Sequence, residues 1–124
     1  MKNDCNLCPL RQYTIHPITG EGNLNADIMI IAEAPGAAEE KEGKPFRGRA
    51  GNLLNDILKQ AKIKREDIYI TNIILCRPPK NDIKHPDAKE ALKICPEVHL
   101  IPTIQKVNPK VIVILGNVAH KYFF

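Results

Sequence analysis

Three apolar runs govern what this chain can fold into: ADIMIIA at 26–32, IYITNIIL at 68–75 and KVIVIL at 110–115. Their apolar residues follow one another almost without interruption and are rich in Ile and Val, so each reads as a strand buried on both faces. Strands of that kind belong inside a parallel sheet covered by helices, and the intervening segments supply the helices. RAGNLLNDILKQAKI, beginning at Arg49, places Leu53, Leu54, Ile57, Leu58 and Ala61 on one face at helical spacing. DAKEALKICPEVHLIPTIQKV, beginning at Asp87, carries an apolar stripe at Ala88, Leu92, Val98 and Ile101. Pro96 and Pro102 predict a break near Cys95 and another near Pro102, because a proline inside a helix removes a hydrogen bond and clashes with the preceding turn. After Leu115, LGNVAHKYFF reads as a turn and the start of a last helix. The order strand, helix, strand, helix, strand, helix predicts one α/β domain over residues 1–124.

The bulk numbers narrow the function classes. A hydrophobic content of 44% and a charged content of 26% are ordinary for a globular domain, and no apolar run approaches the roughly 20 residues that span a bilayer. The N-terminal MKNDCNLCPL lacks the long apolar core of a secretory signal, so the expected setting is cytoplasmic, without a membrane and with reduced thiols. The net charge of +4 is compatible with a polyanionic partner without requiring one.

A βα connection usually takes about two to six residues, yet EAPGAAEEKEGKPFRGRAG separates the first strand from its helix. In parallel α/β sheets ligands bind outside the carboxyl ends of the strands, where this loop lies. Glu33 follows the buried strand directly, whereas Glu39, Glu40 and Glu42 read as solvated charges at a helix start. Phe46, flanked by Lys44, Pro45, Arg47 and Gly48, reads as a platform in a loop and not as core. Asn72 is a polar side chain inside an apolar strand; its amide must find partners, either backbone or a ligand with an imide edge. An aromatic platform, an amide reader and a carboxylate describe a pocket for an extruded nucleobase. Arg47, Arg49, Arg77 and Lys80 would then meet phosphates, which position a strand without reading its sequence.

Cys5 and Cys8 form a C-x2-C pair, joined by Cys76 at a strand end and Cys95 in a helix. Singly, Cys76 and Cys95 would pass as small buried hydrophobes. Together the four match the ligand count of a shared site, and Pro9, Pro78 and Pro96 follow closely where the backbone must turn. Four thiolates suit either zinc or an iron–sulfur cluster, and spacing does not choose between them.

EAPGAAEEKEGKPFRGRAGNLL, YITNIILCRPP and the placing of Cys5, Cys8, Cys76 and Cys95 resemble the family 4 uracil-DNA glycosylases over essentially the whole chain. The resemblance implies a three-layer α/β/α sandwich with a central parallel sheet of four strands, and a [4Fe-4S] cluster on the four cysteines. It also implies removal of uracil from DNA by hydrolysis of the N-glycosidic bond, as in base-excision repair. Carried over by position, Ala32, Glu33 and Ala34 lie beside the base, Phe46 stacks on it, Asn72 bonds its imide edge and Gly36 leaves the pocket wall open. Glu33 would position or activate water. Ala32 replaces the family's usual Gly, and Arg47 its usual Val. The family also has a further strand and an HPSPL-like segment whose His stabilises the leaving uracil anion. His16, His85, His99 and His120 lie outside such a motif, so the sequence is read as a C-terminally incomplete member, lacking the last strand, with weakened catalysis. The expected partner is uracil-containing DNA, single- or double-stranded, bound by a monomer. Two other readings stay open at this point: a catalytically impaired nucleic-acid-binding fragment, and a zinc-stabilised nucleotide-binding domain.

Overall fold

Four strands, β1 (Glu21–Gly22), β2 (Ile28–Ala32), β3 (Tyr69–Asn72) and β4 (Val111–Ile114), pair in the order β1-β3-β2-β4 in the computed structural model, which describes residues 5–124. The two inner strands come from the β-branched runs, where side chains buried on both faces are tolerated. Parallel pairing sets Ala32 beside Asn72 at one end of β2 and β3, and Ile28 beside Val111 at the other end of β2. The sheet is mixed, not wholly parallel, because β1 runs antiparallel to β3. β1 has only two residues, one of them Gly22, and so leaves no apolar periodicity to read.

Side chains alternate across β2 with period two. Met29 and Ile31 pack on one face with Ala88, Ala91, Leu100, Val107 and Ala119, whereas Ile30 packs on the other with Leu54, Leu58, Ile68 and Ile70. The first set comes from α3 (Pro86–Cys95), α4 (Ile101–Val107) and α5 (Asn117–Phe123), together with the turn before α4. In the second, Leu54 and Leu58 come from α2 (Arg49–Gln60), which follows the short α1 (Ala37–Glu42), and Ile70 and Ile68 from the start of β3 and the residue before it. Helices therefore cover both faces, in the expected three layers. Each large aliphatic side chain buried in these seams contributes about 1.5–3 kcal/mol.

Three expectations are corrected. β4 is not buried on both faces: Val111 is 53% exposed, and Ile112 and Val113 are also open, because β4 lies at the sheet edge and pairs with β2 alone among the described residues. In α2, Leu54 and Leu58 are buried but Leu53 and Ile57 are exposed, so the buried stripe is narrower than the apolar face the helix carries. The long helix does change character at Pro96, where a wide π-helical turn, Pro96–Leu100, joins α3 to α4. Its extra residue per turn re-phases the helix, so Leu100 is buried and Val98 is exposed. Pro102 falls in the first turn of α4, where its missing N–H costs little. No helix among the described residues is long and apolar enough to cross a membrane.

Candidate functional site

A cavity of about 310 Å³ opens at the carboxyl ends of β2 and β3. Ala32, Glu33, Ala34, Phe46 and Asn72 line it, and Glu39, Ala50, Leu115 and Gly116 complete the lining. The parallel register delivers the first contacts, since Ala32 pairs with Asn72 and the ladder continues as the Ile73 and Ile74 N–H groups donate to the Ala32 and Glu33 carbonyls. Asn72 is 3% exposed, yet among the described residues its side-chain amide makes no hydrogen bond to backbone. A buried amide bordering a cavity in this way has donor and acceptor capacity left for an occupant.

The two carboxylates of the cavity differ. Glu33 has no hydrogen-bond or ion-pair partner for its carboxylate among the described residues, and burial pushes its pKa above the ordinary value. Glu39 accepts hydrogen bonds from the backbone N–H groups of Gly36, Arg47 and Gly48 at 2.8, 2.8 and 2.9 Å. Burial pushes the Glu39 carboxyl up, but the backbone donors together outweigh it and hold its pKa below the ordinary value. Glu33 is thus placed to take a proton, and Glu39 to stay ionised. Glu39 is not the solvated surface charge expected from sequence. One signal existed: Glu39 stands at the third position of α1, from which a glutamate reaches back to the N–H of the N-cap residue, here Gly36.

Phe46 adopts the left-handed region, φ 54°, which disfavours a residue with a Cβ. Contrary to the expectation that it stands outside the core, Phe46 is buried with Ile30, Leu54, Leu58, Ile68 and Ile70, and its neighbours fix it there. The Pro45 carbonyl accepts hydrogen bonds from Arg47 Nη1 and Arg65 Nη2, and Gly51 of α2 comes up under the Phe46 carbonyl. Gly51 and Arg65 carry no sequence signal for this role. Gly36 borders the Glu39 carboxylate.

The basic residues divide into two sets. Arg49 and Lys80 are exposed. Arg47 Nη2 donates to both Glu21 oxygens at 2.7 and 2.8 Å, and Arg77 Nε donates to Asn81 Oδ1 at 2.7 Å. A phosphate at Arg47 would have to compete with that carboxylate.

Cys5, Cys8, Cys76 and Cys95 line one cavity, with Arg11, Leu7, Leu75, Ile94, Val98 and His99 as further walls. Burial, and then the neighbouring cysteines, push the Cys76 and Cys95 thiols up to about 12. Four converging thiols in an apolar setting fit a cationic centre, which stabilises thiolates that the protein alone does not. Among the described residues no group of three or more His, Cys, Asp or Glu side chains is placed to hold a metal ion.

The sequence matches the family model of the Uracil DNA glycosylase superfamily over residues 19–124. It is 43% identical to the type-4 uracil-DNA glycosylase of Thermotoga maritima over 119 residues, covering 96% of this chain and 60% of that protein. Against the type-4 uracil-DNA glycosylase of Pyrobaculum aerophilum the identity is 39%, over 95% of this chain and 58% of that protein. A DNA polymerase of Bacillus phage SP01 is 30% identical over 94% of the chain, which corresponds to 12% of the polymerase. The chain thus spans 53–60% of the length of the type-4 relatives it matches.

Proposed function

This chain belongs to the Uracil DNA glycosylase superfamily, and on that premise we propose that its cavity takes uracil turned out of DNA and that the protein hydrolyses the N-glycosidic bond. The observation that carries this reading is the meeting of Phe46, Asn72 and Glu33, distant in sequence, around one cavity at the carboxyl edge of the sheet. Its 310 Å³ falls at the lower end of the volumes that hold small ligands. Phe46 offers a face for stacking, and Asn72 a donor and an acceptor for the imide edge. Ala32 and Ala34 keep the wall low enough for a flat ring.

In the reaction, the bond between the base nitrogen and the sugar C1′ breaks and its electron pair leaves with uracil. Water adds its oxygen to C1′, and its proton passes through Glu33 and ends on the departed base. A carboxylate raised by burial accepts that proton more readily than a solvated one, and its charge favours the cationic sugar in the transition state. Arg49 and Lys80, with Arg47 and Arg77 where their carboxylate and amide partners yield, contribute the sequence-independent contacts to phosphate.

The protein is read as a type-4-like glycosylase in DNA repair, acting as a cytoplasmic monomer. Cys5, Cys8, Cys76 and Cys95 would hold a [4Fe-4S] cluster, which would fasten the segment around Cys5 to β3 and α3 and supply rigidity rather than a chemical step. The test is release of uracil from an oligonucleotide carrying a single uracil, read as strand breakage at the abasic site after alkali. Cleavage at uracil and not at cytosine, lost in Asn72→Ala and Phe46→Ala, is expected. Release that survives both substitutions would contradict the assignment.

A further inference from the structure

We infer that Glu39 is the positioning residue of the pocket, its carboxylate tying the two ends of the long loop together so that Phe46 presents its ring to the base. Gly36, whose N–H reaches Oε1, begins the loop; Arg47 and Gly48, whose N–H groups reach Oε2, end it immediately after Phe46. One side chain therefore joins the two ends of the loop, which Thr14 on Glu40, Glu21 on Arg47 and Arg65 on Pro45 hold from outside. Closure is needed because Phe46 sits in a backbone region that a free loop would leave. The attachment on the other side of Phe46, at the Pro45 carbonyl, comes from the long side chains of Arg47 and Arg65. The attachment through Glu39 acts on the backbone itself, and its carboxylate also borders the cavity. A Cβ at Gly36 would stand 3.0 Å from Glu39 Oε1, so the missing side chain there is what lets the carboxylate seat against the chain.

The substitution Glu39→Gln is informative because both oxygens accept from N–H groups. The amide NH2 must replace one of them and then faces a donor. The inference rests on the proposed stacking role of Phe46, and the experiment keeps the two apart. The measured quantity is the affinity for an oligonucleotide carrying 2′-fluoro-deoxyuridine, whose glycosidic bond resists cleavage, divided by the affinity for its cytosine counterpart. This ratio cancels phosphate contacts and any unfolded fraction. It is measured for the wild type, Glu39→Gln, Phe46→Ala and the double variant. Glu39→Gln is expected to lower it about tenfold, Phe46→Ala at least as much, and the double variant no further than Phe46→Ala alone. If Glu39→Gln fails to fold, Gly36→Ala, which only crowds Oε1, takes its place in the same cycle. An unchanged ratio in Glu39→Gln, or losses that add in the double variant, would overturn the positioning role while leaving the pocket intact. An unchanged ratio in Phe46→Ala would overturn the pocket reading and the inference with it.

Discussion

Gly51 stands so close beneath Phe46 that a Cβ on it would lie 2.1 Å from the Phe46 carbonyl oxygen. No side-chain rotation relieves such a contact, because the opposing atom is backbone. The first turn of α2 and the left-handed turn at Phe46 are therefore one unit, and Gly51→Ala must push the platform out of the pocket or distort the helix. The expected cost is about 1–3 kcal/mol in urea denaturation, with a loss of discrimination between uracil and cytosine. Asn52→Ala, on the exposed side of the same helix, should leave both nearly unchanged. Equal behaviour of the two variants would contradict the coupling.

Glu33 and Glu39 should respond to pH in opposite senses. The raised pKa of Glu33 means that the folded state favours its protonated form. Its favourable contribution is present below the ordinary carboxylate range and lost as pH rises through the folded value. Glu33→Gln should therefore be more stable than the wild type at neutral pH, with the difference vanishing in acid, while uracil release falls by about 10² or more. The lowered pKa of Glu39 gives a contribution present above the ordinary carboxylate range and lost as pH falls through the folded value. Glu39→Gln should be less stable at neutral pH, and the gap should close in acid. Denaturation curves for both variants across the acid range check the signs, and like-signed curves would contradict them.

Asn72→Ala should abolish the preference for uracil and spare general DNA affinity. The amide is buried beside the cavity, so its removal costs the recognition of the imide edge, about tenfold or more, without touching any phosphate contact. Paired titrations with uracil- and cytosine-containing oligonucleotides measure this. A parallel loss on both would mean that Asn72 acts on the fold and not on the base.

How far these residues could be read in advance depends on whether their role leaves a chemical anomaly in the sequence. Asn72 and Phe46 could be found because each violates its surroundings, a polar group in an apolar strand and an aromatic in a polar loop. Glu39 differs from Glu40 and Glu42 in the sequence only by its place three residues after Gly36, because its partners are backbone N–H groups that every residue carries. Gly51 was invisible because close approach is a property of two segments brought together by folding. The strands β2 and β3 announce themselves through β-branched runs, whereas β4 is less buried than its run suggests: the composition of a run reports the environment a strand can accept, and its place at the sheet edge is decided by pairing. In α3 and α4, Pro96 marked the interruption, but a wide turn shifts the helical phase by a residue, which moved burial from Val98 to Leu100.

Arg49 and Lys80 should carry the salt dependence of DNA binding. Both are exposed, so each neutralised phosphate releases counterions, and Arg49→Ala or Lys80→Ala should reduce the slope of log affinity against log salt by about one. Arg47→Ala should change the slope less and the stability more, because its guanidinium is engaged by Glu21. A larger slope change at Arg47 than at Arg49 would contradict this division of the basic residues.

The four cysteines should act as one site. Purified without oxygen, the protein is expected to be brown, with iron and acid-labile sulfide in equal amounts, and Cys76→Ala or Cys95→Ala should lose both together with stability. A colourless protein with one zinc per chain would replace the cluster with a mononuclear site.

The central claim is that the cavity between β2, β3 and the Phe46 loop takes uracil. Its most direct measurement is a residue-resolved NMR titration of the isotopically labelled protein with the free base, using cytosine as the control. The account predicts saturable shifts confined to Ala32, Glu33, Phe46, Asn72 and Gly116 and their immediate neighbours, with cytosine weaker by an order of magnitude or more, about the value of a lost complementary hydrogen bond. Shifts centred elsewhere, or equal responses to uracil and cytosine at these residues, would contradict it.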